Sequence, residues 1–163
     1  MGRIEQVLDT ETEMKFDGTE SGEDSAEILR FDKVCLKYAG AGAEALSDIS
    51  FSVKRGETIG IIGGTGSGKT SLINMIPRFY DATGGCVYLK GKPINTLSQS
   101  EVRSSVAVVA QKPVMFSGTI KSNLRWGNPN ADDEAIWKAL ETAQAADFVK
   151  NKPNGLDERT EQG

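Results

Sequence analysis

Residues 63–70 read Gly-Gly-Thr-Gly-Ser-Gly-Lys-Thr and fit the spacing GxxxxGK[ST]. Glycines at Gly63, Gly64, Gly66 and Gly68 let successive backbone N–H groups turn toward one point, at φ values a side chain penalises. The result is a concave nest for an anion. Such a nest works when a strand delivers the chain to it and a helix leaves it, because the first helical amides and the positive dipole end then face the same anion. Both flanks carry that pattern. Thr58-Ile59-Gly60-Ile61-Ile62 is a short apolar run of the kind buried on both faces of a parallel sheet. Lys69 to Ile76 places Leu72, Ile73 and Ile76 on one helical face and stops at Pro77. Thr65 and Ser67 fill variable positions of the motif. Lys69 brings an ammonium to the outer phosphates, and the Thr70 hydroxyl is a hard oxygen ligand for Mg²⁺. The chain therefore reads as nucleotide-binding, in a loop that ATPases, GTPases and kinases all use.

Around this loop the pattern alternates strands and helices, which predicts an α/β fold. Ile28, Phe31, Val34, Leu36 and Tyr38 are spaced as a strand with a bulge near Asp32-Lys33, broken by Ala39–Gly42. Ile49, Phe51 and Val53 alternate with serines, a second strand with one wet face. Asp81–Gly85 predicts a turn and Cys86–Leu89 a strand. Ser98 with Glu101 three residues on predicts a capped helix. Val106–Val109 reads as another buried strand, and Ala131–Thr142 as a helix with acids in its first turn. Residues 151–163 read as loop.

Composition narrows the chemistry. Among 163 residues there is no histidine, so Ser-His-Asp and Cys-His nucleophiles, His-ligated zinc and an imidazole proton shuttle are excluded. Cys35 and Cys86, far apart in sequence, predict two half-buried thiols rather than a disulfide framework or a metal site. No apolar run approaches the ~18 residues needed to cross a bilayer, so the chain as given is expected to be soluble. Residues 1–27 hold nine acids and two bases, net −7, within a chain of net −4; the body from 28 onward is therefore +3, which suits an anionic ligand. That leader reads as a linker: residues 3–8 can end a helix, and Thr10 to Ser25 is polar and glycine-punctuated with little to bury.

Two residues outside the loop are candidates for the site. Tyr38, about 25 positions upstream, can stack its ring on a purine or be an ordinary edge aromatic. Gln111 follows the Val106–Val109 run, where ligands gather at the carboxyl ends of parallel strands. Its amide can hold Mg²⁺ or the attacking water, or merely occupy a turn before Lys112-Pro113.

Taken in order, Tyr38, then ALSDISF (45–51), then GETIGIIGGTGSGKTSLINMIPRFYDATGG (56–85), then VAVVAQKPVMFSGTIKSNLRWGN (106–128) resemble the nucleotide-binding domain of an ABC transporter, of the multidrug or lipid exporter type. The resemblance spans essentially the whole chain. It implies that Tyr38 stacks on adenine, that Gly63 to Thr70 with Ser71 wrap the phosphates, and that Gln111 reaches Mg²⁺ and senses the γ-phosphate. It implies ATP and Mg²⁺ as ligands, a second nucleotide-binding domain and a transmembrane domain as partners (the latter touched by residues 112–126), a place at the cytoplasmic face of a membrane, and no nucleic acid. Ala110 stands where the family commonly has proline.

Family members continue past Gly163 into the signature sequence, the Walker B strand with its catalytic Glu, and the switch histidine. The resemblance thus implies a partial P-loop NTPase core with an antiparallel β-subdomain, cut before the signature helix. Residues 1–27 would be the linker and 28–163 the first half of the motor domain, with no catalytic residue of its own. Two other readings stand beside it: a self-contained P-loop phosphotransferase, and a non-catalytic fragment that self-associates through an open sheet edge.

Overall fold

The computed structural model describes residues 14–22, 25–112 and 114–161. The expected helix end at residues 3–8 lies outside them. The chain forms two compact units, divided between Val108 and Val109.

The first unit is built on one antiparallel sheet. Strands β1 (Glu27–Leu36), β2 (Leu46–Lys54), β3 (Gly84–Leu89) and β4 (Lys92–Pro93) lie in the order β2-β1-β3-β4. Every neighbouring pair is antiparallel. The expected bulge is there: the register slips between Phe31 and Val34 against β2 and between Asp32 and Cys35 against β3, with Lys33 at φ 50°. Opposite it, Gly85 sits at φ 68° where an added Cβ would lie 2.1 Å from the Lys33 carbonyl oxygen, so only glycine fits. The predicted turn 81–85 therefore gives its last two residues to β3.

One face of this sheet is the core. Phe31, Val34, Leu36, Val87 and Leu89 are buried with Leu46, Met75, Ile94, Leu97 and Val102, and the Phe31 and Phe51 rings stack 4.7 Å apart. Helix α1 (Lys69–Met75) contributes Met75 fully, while Leu72 and Ile76 are half-buried and Ile73 is exposed. Two of the three residues predicted for the buried face, Leu72 and Ile76, therefore pack against the core, with Met75 in place of Ile73. Helix α2 (Gln99–Ser105) begins where expected, and the Ser98 hydroxyl accepts from the Glu101 amide at 3.1 Å. The Glu101 carboxylate does not complete a capping box there; it accepts from Lys90 at 3.0 Å.

One expectation is overturned. The runs 58–62 and 106–109 form no strand ladder among the described residues, and they are largely exposed, Ile62 at 98% and Val109 at 97%. A continuous apolar run signals burial only where strands lie on both sides of it, and no described segment pairs with either. The described part of the leader makes contacts with the first unit's own segments. The Glu20 amide donates to the Thr96 carbonyl at 3.1 Å, and Glu20 bridges Leu97 in parallel. Arg78, 4% exposed, donates to the Lys15 carbonyl at 2.9 Å and lies 4.7 Å from the Phe16 ring centroid. A polar segment docks here largely through backbone hydrogen bonds, with the Phe16 ring packed on the Arg78 guanidinium.

The second unit packs α3 (Ile120–Leu124), α4 (Asp133–Thr142) and α5 (Ala146–Lys150) around Ile136, Leu140, Ala146, Val149 and Leu156. Asp132 caps α4, accepting from the Ala135 amide at 2.8 Å, so this helix starts two residues later than predicted. The stretch read as loop from 151 on contains a 3₁₀ turn, Gly155–Asp157, and strand β6 (Arg159–Thr160), which pairs antiparallel with β5 (Gly118–Thr119).

Candidate functional site

The glycine-rich loop leaves the exposed run 58–62 and turns into α1. Gly66 and Gly68 stand at φ 81° and 85°, the left-handed region. Gly68 is also a contact point, since a Cβ there would lie 2.6 Å from the Ala45 carbonyl oxygen and 2.9 Å from the Leu46 side chain. That close approach seats the loop against the start of β2, and β2 and the end of β1 are tied there by the Ala45 amide donating to the Leu36 carbonyl at 2.7 Å. Tyr38 lies two residues past β1. The sheet thereby delivers the aromatic and the loop to the same place.

Within the loop, the Lys69 ammonium donates to the Gly63 and Gly64 carbonyls at 2.7 and 2.6 Å. Its third N–H reaches only the Ser67 hydroxyl, at 3.5 Å. The Ser67 amide donates to the Gly64 carbonyl at 3.3 Å, closing a tight turn over the exposed Thr65. Gly63 has a reason of its own: a Cβ there would fall 2.5 Å from the Ser67 hydroxyl. A cavity of about 300 Å³ opens between Tyr38, Ala45, Gly66, Ser67, Gly68, Lys69, Thr70 and Ser71. Its volume lies at the lower end of the ligand-pocket range, and its walls carry one cation, Lys69, and the four hydroxyls of Tyr38, Ser67, Thr70 and Ser71.

Tyr38 and Ser71 are joined directly, the tyrosine hydroxyl donating to the Ser71 Oγ at 2.9 Å. Sequence reasoning missed Tyr80, whose ring stands edge-to-face with Tyr38, centroids 5.0 Å apart and planes at 85°. Nothing in the spacing of two tyrosines 42 positions apart signals that meeting; it comes from the turn after α1. Gln111, by contrast, sits in an exposed bend of the second unit.

In that second unit the segment 114–118 is held by Asn123 together with Thr160, whose hydroxyl donates to the Phe116 carbonyl at 2.9 Å. Asn123 accepts from the Phe116 amide at 2.8 Å and donates to the carbonyls of Phe116 and Thr119, both at 2.9 Å. Val114, Met115, Phe116 and Trp126 stay exposed, with the Phe116 and Trp126 rings stacked at 5.0 Å.

A family model described as ABC transporter matches residues 46–159. An uncharacterised ABC transporter ATP-binding protein of Bacillus subtilis, YfiB, is 40% identical over 155 residues, 95% of this chain and 27% of that protein. A Staphylococcus aureus protein named for multidrug export as an ATP-binding/permease protein is 39% identical over 129 residues, 79% of this chain and 22% of that one. Among solved structures, a bacterial Atm1-family ABC exporter with ATP bound superposes with a TM-score of 0.87 at 28% identity, over 98% of this chain and 28% of that one. The chain spans about a quarter of the length of these relatives.

Proposed function

The chain belongs to the ABC transporter family, and from that premise we propose that it carries the ATP-holding half of an exporter's motor domain, residues 28–163, with residues 1–27 leading in from a membrane domain. The observation that carries this reading is the cavity joining Tyr38 to Gly66–Ser71. In it, Tyr38 stacks on the adenine, the amides of 63–71 wrap the phosphates, and Lys69 turns its third N–H to a phosphate oxygen. The Thr70 hydroxyl and the Gln111 amide oxygen are the chain's ligands for Mg²⁺, which when bound neutralises charge on the outer phosphates. Within the cavity the donor set fits: the Thr70 hydroxyl as a hard oxygen for the metal, one ammonium and a run of backbone N–H groups for the anion.

The relatives' names support an exporter as the whole; on this reading it works at the cytoplasmic face of a membrane, with a second nucleotide-binding domain closing over the ATP. The exposed Val114, Met115, Phe116 and Trp126, stiffened by Asn123, suit contact with a transmembrane domain. No helix among the described residues is long and apolar enough to cross a membrane. The family match leaves a self-contained phosphotransferase without support.

Titration calorimetry with Mg·ATP tests the core of this. Lys69→Ala weakens binding by at least tenfold, in line with the loss of a charge-assisted contact worth about 1.5–3 kcal/mol; undiminished binding overturns the site. The 163 residues alone turn over no ATP, and a rate near about 1 s⁻¹ would sink that part. The exposure of Ile62 and Val109 favours one further behaviour, pairing of these apolar runs between copies, and light scattering that stays monomeric across concentrations would dismiss it.

A further inference from the structure

We infer that Tyr80 is a positioning residue for the nucleotide base, acting by holding the ring of Tyr38 in one orientation; this rests on the reading of Tyr38 as the base-stacking aromatic. Left to itself, a half-buried tyrosine just past a strand end samples several rotamers, and each must be given up when a base stacks on it. The ring of Tyr38 is fixed at two points. Its hydroxyl donates to Ser71 at 2.9 Å, and Tyr80 meets it edge-to-face at 5.0 Å, an arrangement aromatic pairs favour.

Both points belong to the helix that follows the phosphate loop or to the turn that ends it. Ser71 is on α1 itself. Tyr80 is delivered by the turn that ends α1, where the Arg78 amide donates to the Met75 carbonyl at 3.1 Å and the Phe79 amide to the Asn74 carbonyl at 2.9 Å. Arg78, in the left-handed region at φ 56°, then closes a fork on Asp81, Nε to Oδ1 at 2.7 Å and Nη2 to Oδ2 at 3.2 Å. That fork brackets Tyr80 and clamps its backbone. Tyr80 is itself 40% exposed, so its ring is not needed to fill the core. The consequence is that the stacking ring and the phosphate cradle are set in register by a single element.

The test separates base from phosphate. Dissociation constants for Mg·ATP and for inorganic tripolyphosphate are measured by calorimetry on the 163-residue chain and on Tyr80→Ala, Tyr80→Leu, Tyr80→Phe and Tyr38→Ala. Tyr80→Ala and Tyr80→Leu weaken ATP by roughly two- to tenfold, the worth of one aromatic pair. They leave tripolyphosphate unchanged, and Tyr80→Phe, which keeps the ring, binds ATP as the parent does. Equal weakening of both ligands overturns the inference, because Tyr80 would then act on the loop or on folding. Unchanged ATP binding in Tyr80→Ala alongside weakened binding in Tyr38→Ala overturns it and spares the reading of Tyr38. Unchanged ATP binding in Tyr38→Ala overturns both.

Discussion

Phe31, Val34 and Leu36 of β1 are almost wholly buried, whereas Ile62 and Val109, equally apolar and in equally strand-like runs, are 98% and 97% exposed. What separates them is company. β1 has β2 on one side and β3 on the other, so each of its amides and carbonyls has a ladder to join and each inward side chain a neighbour across the strand. The runs 58–62 and 106–109 have no ladder among the described residues. An extended backbone cannot be buried with its polar groups unpaired, so without a ladder the apolar side chains stay in water as well.

The sharpest way to break that comparison is to truncate one residue from each class. Phe31, 1% exposed and stacked on Phe51, becomes a cavity in Phe31→Ala, and the first unit loses about 3–5 kcal/mol, a typical cost for a buried phenylalanine. Ile62→Ala changes stability by no more than about 0.5 kcal/mol. Urea unfolding followed by circular dichroism reads both. A large loss in Ile62→Ala would mean that this run is covered after all.

Glycines sharpen the same contrast at smaller scale. Gly85→Ala forces a Cβ to within 2.1 Å of the Lys33 carbonyl oxygen at a φ of 68°. The left-handed backbone alone costs about 1–3 kcal/mol, and the bulge opposite must shift besides. Gly60→Ala, in the exposed run with nothing within 4 Å of the new Cβ, is neutral or raises stability by about 0.4–1 kcal/mol through the unfolded chain. The urea midpoints of the two variants should move apart in opposite directions or, at the least, only Gly85→Ala should move.

What was legible in the sequence follows the same division. The bulge at Asp32-Lys33, the Ser98 cap and the glycine loop are short-range devices, each readable from a few adjacent residues, and the structure has all three. The edge-to-face contact of Tyr80 on Tyr38 joins residues 42 apart through a turn and a bulged sheet, and no local pattern encodes it. The docking of 14–22 was hidden for another reason: much of it is made by backbone carbonyls and amides, which every residue has, around a buried arginine whose own position is set by the left-handed turn after α1. Apolar periodicity identified residues able to be buried, and only the partners present decided which ones were.

The smallest expected effect tests the polar ties of the completed sheet. The Glu101 carboxylate accepts from Lys90 Nζ at 3.0 Å, joining α2 to the turn between β3 and β4. That hydrogen bond first, with the lysine's charge, the Gly22 backbone and the Ser105 hydroxyl assisting against partial desolvation, holds its pKa below the usual carboxylate value. A group whose pKa is depressed by folding contributes stability above its unfolded value, about 4.3 for glutamate, and loses it as pH falls from there through the folded value. The stability gap between the parent and Glu101→Gln is therefore constant from neutral pH down to about pH 5, then closes as the pH falls further. Because both side chains are partly in solvent the gap is small, and salt shrinks it further. Urea midpoints for the two proteins across that range decide it. A gap that widens toward acid would mean the carboxylate is destabilised by its surroundings, and the tie between α2 and the sheet would have to be sought in Val102 and Leu97 packing alone.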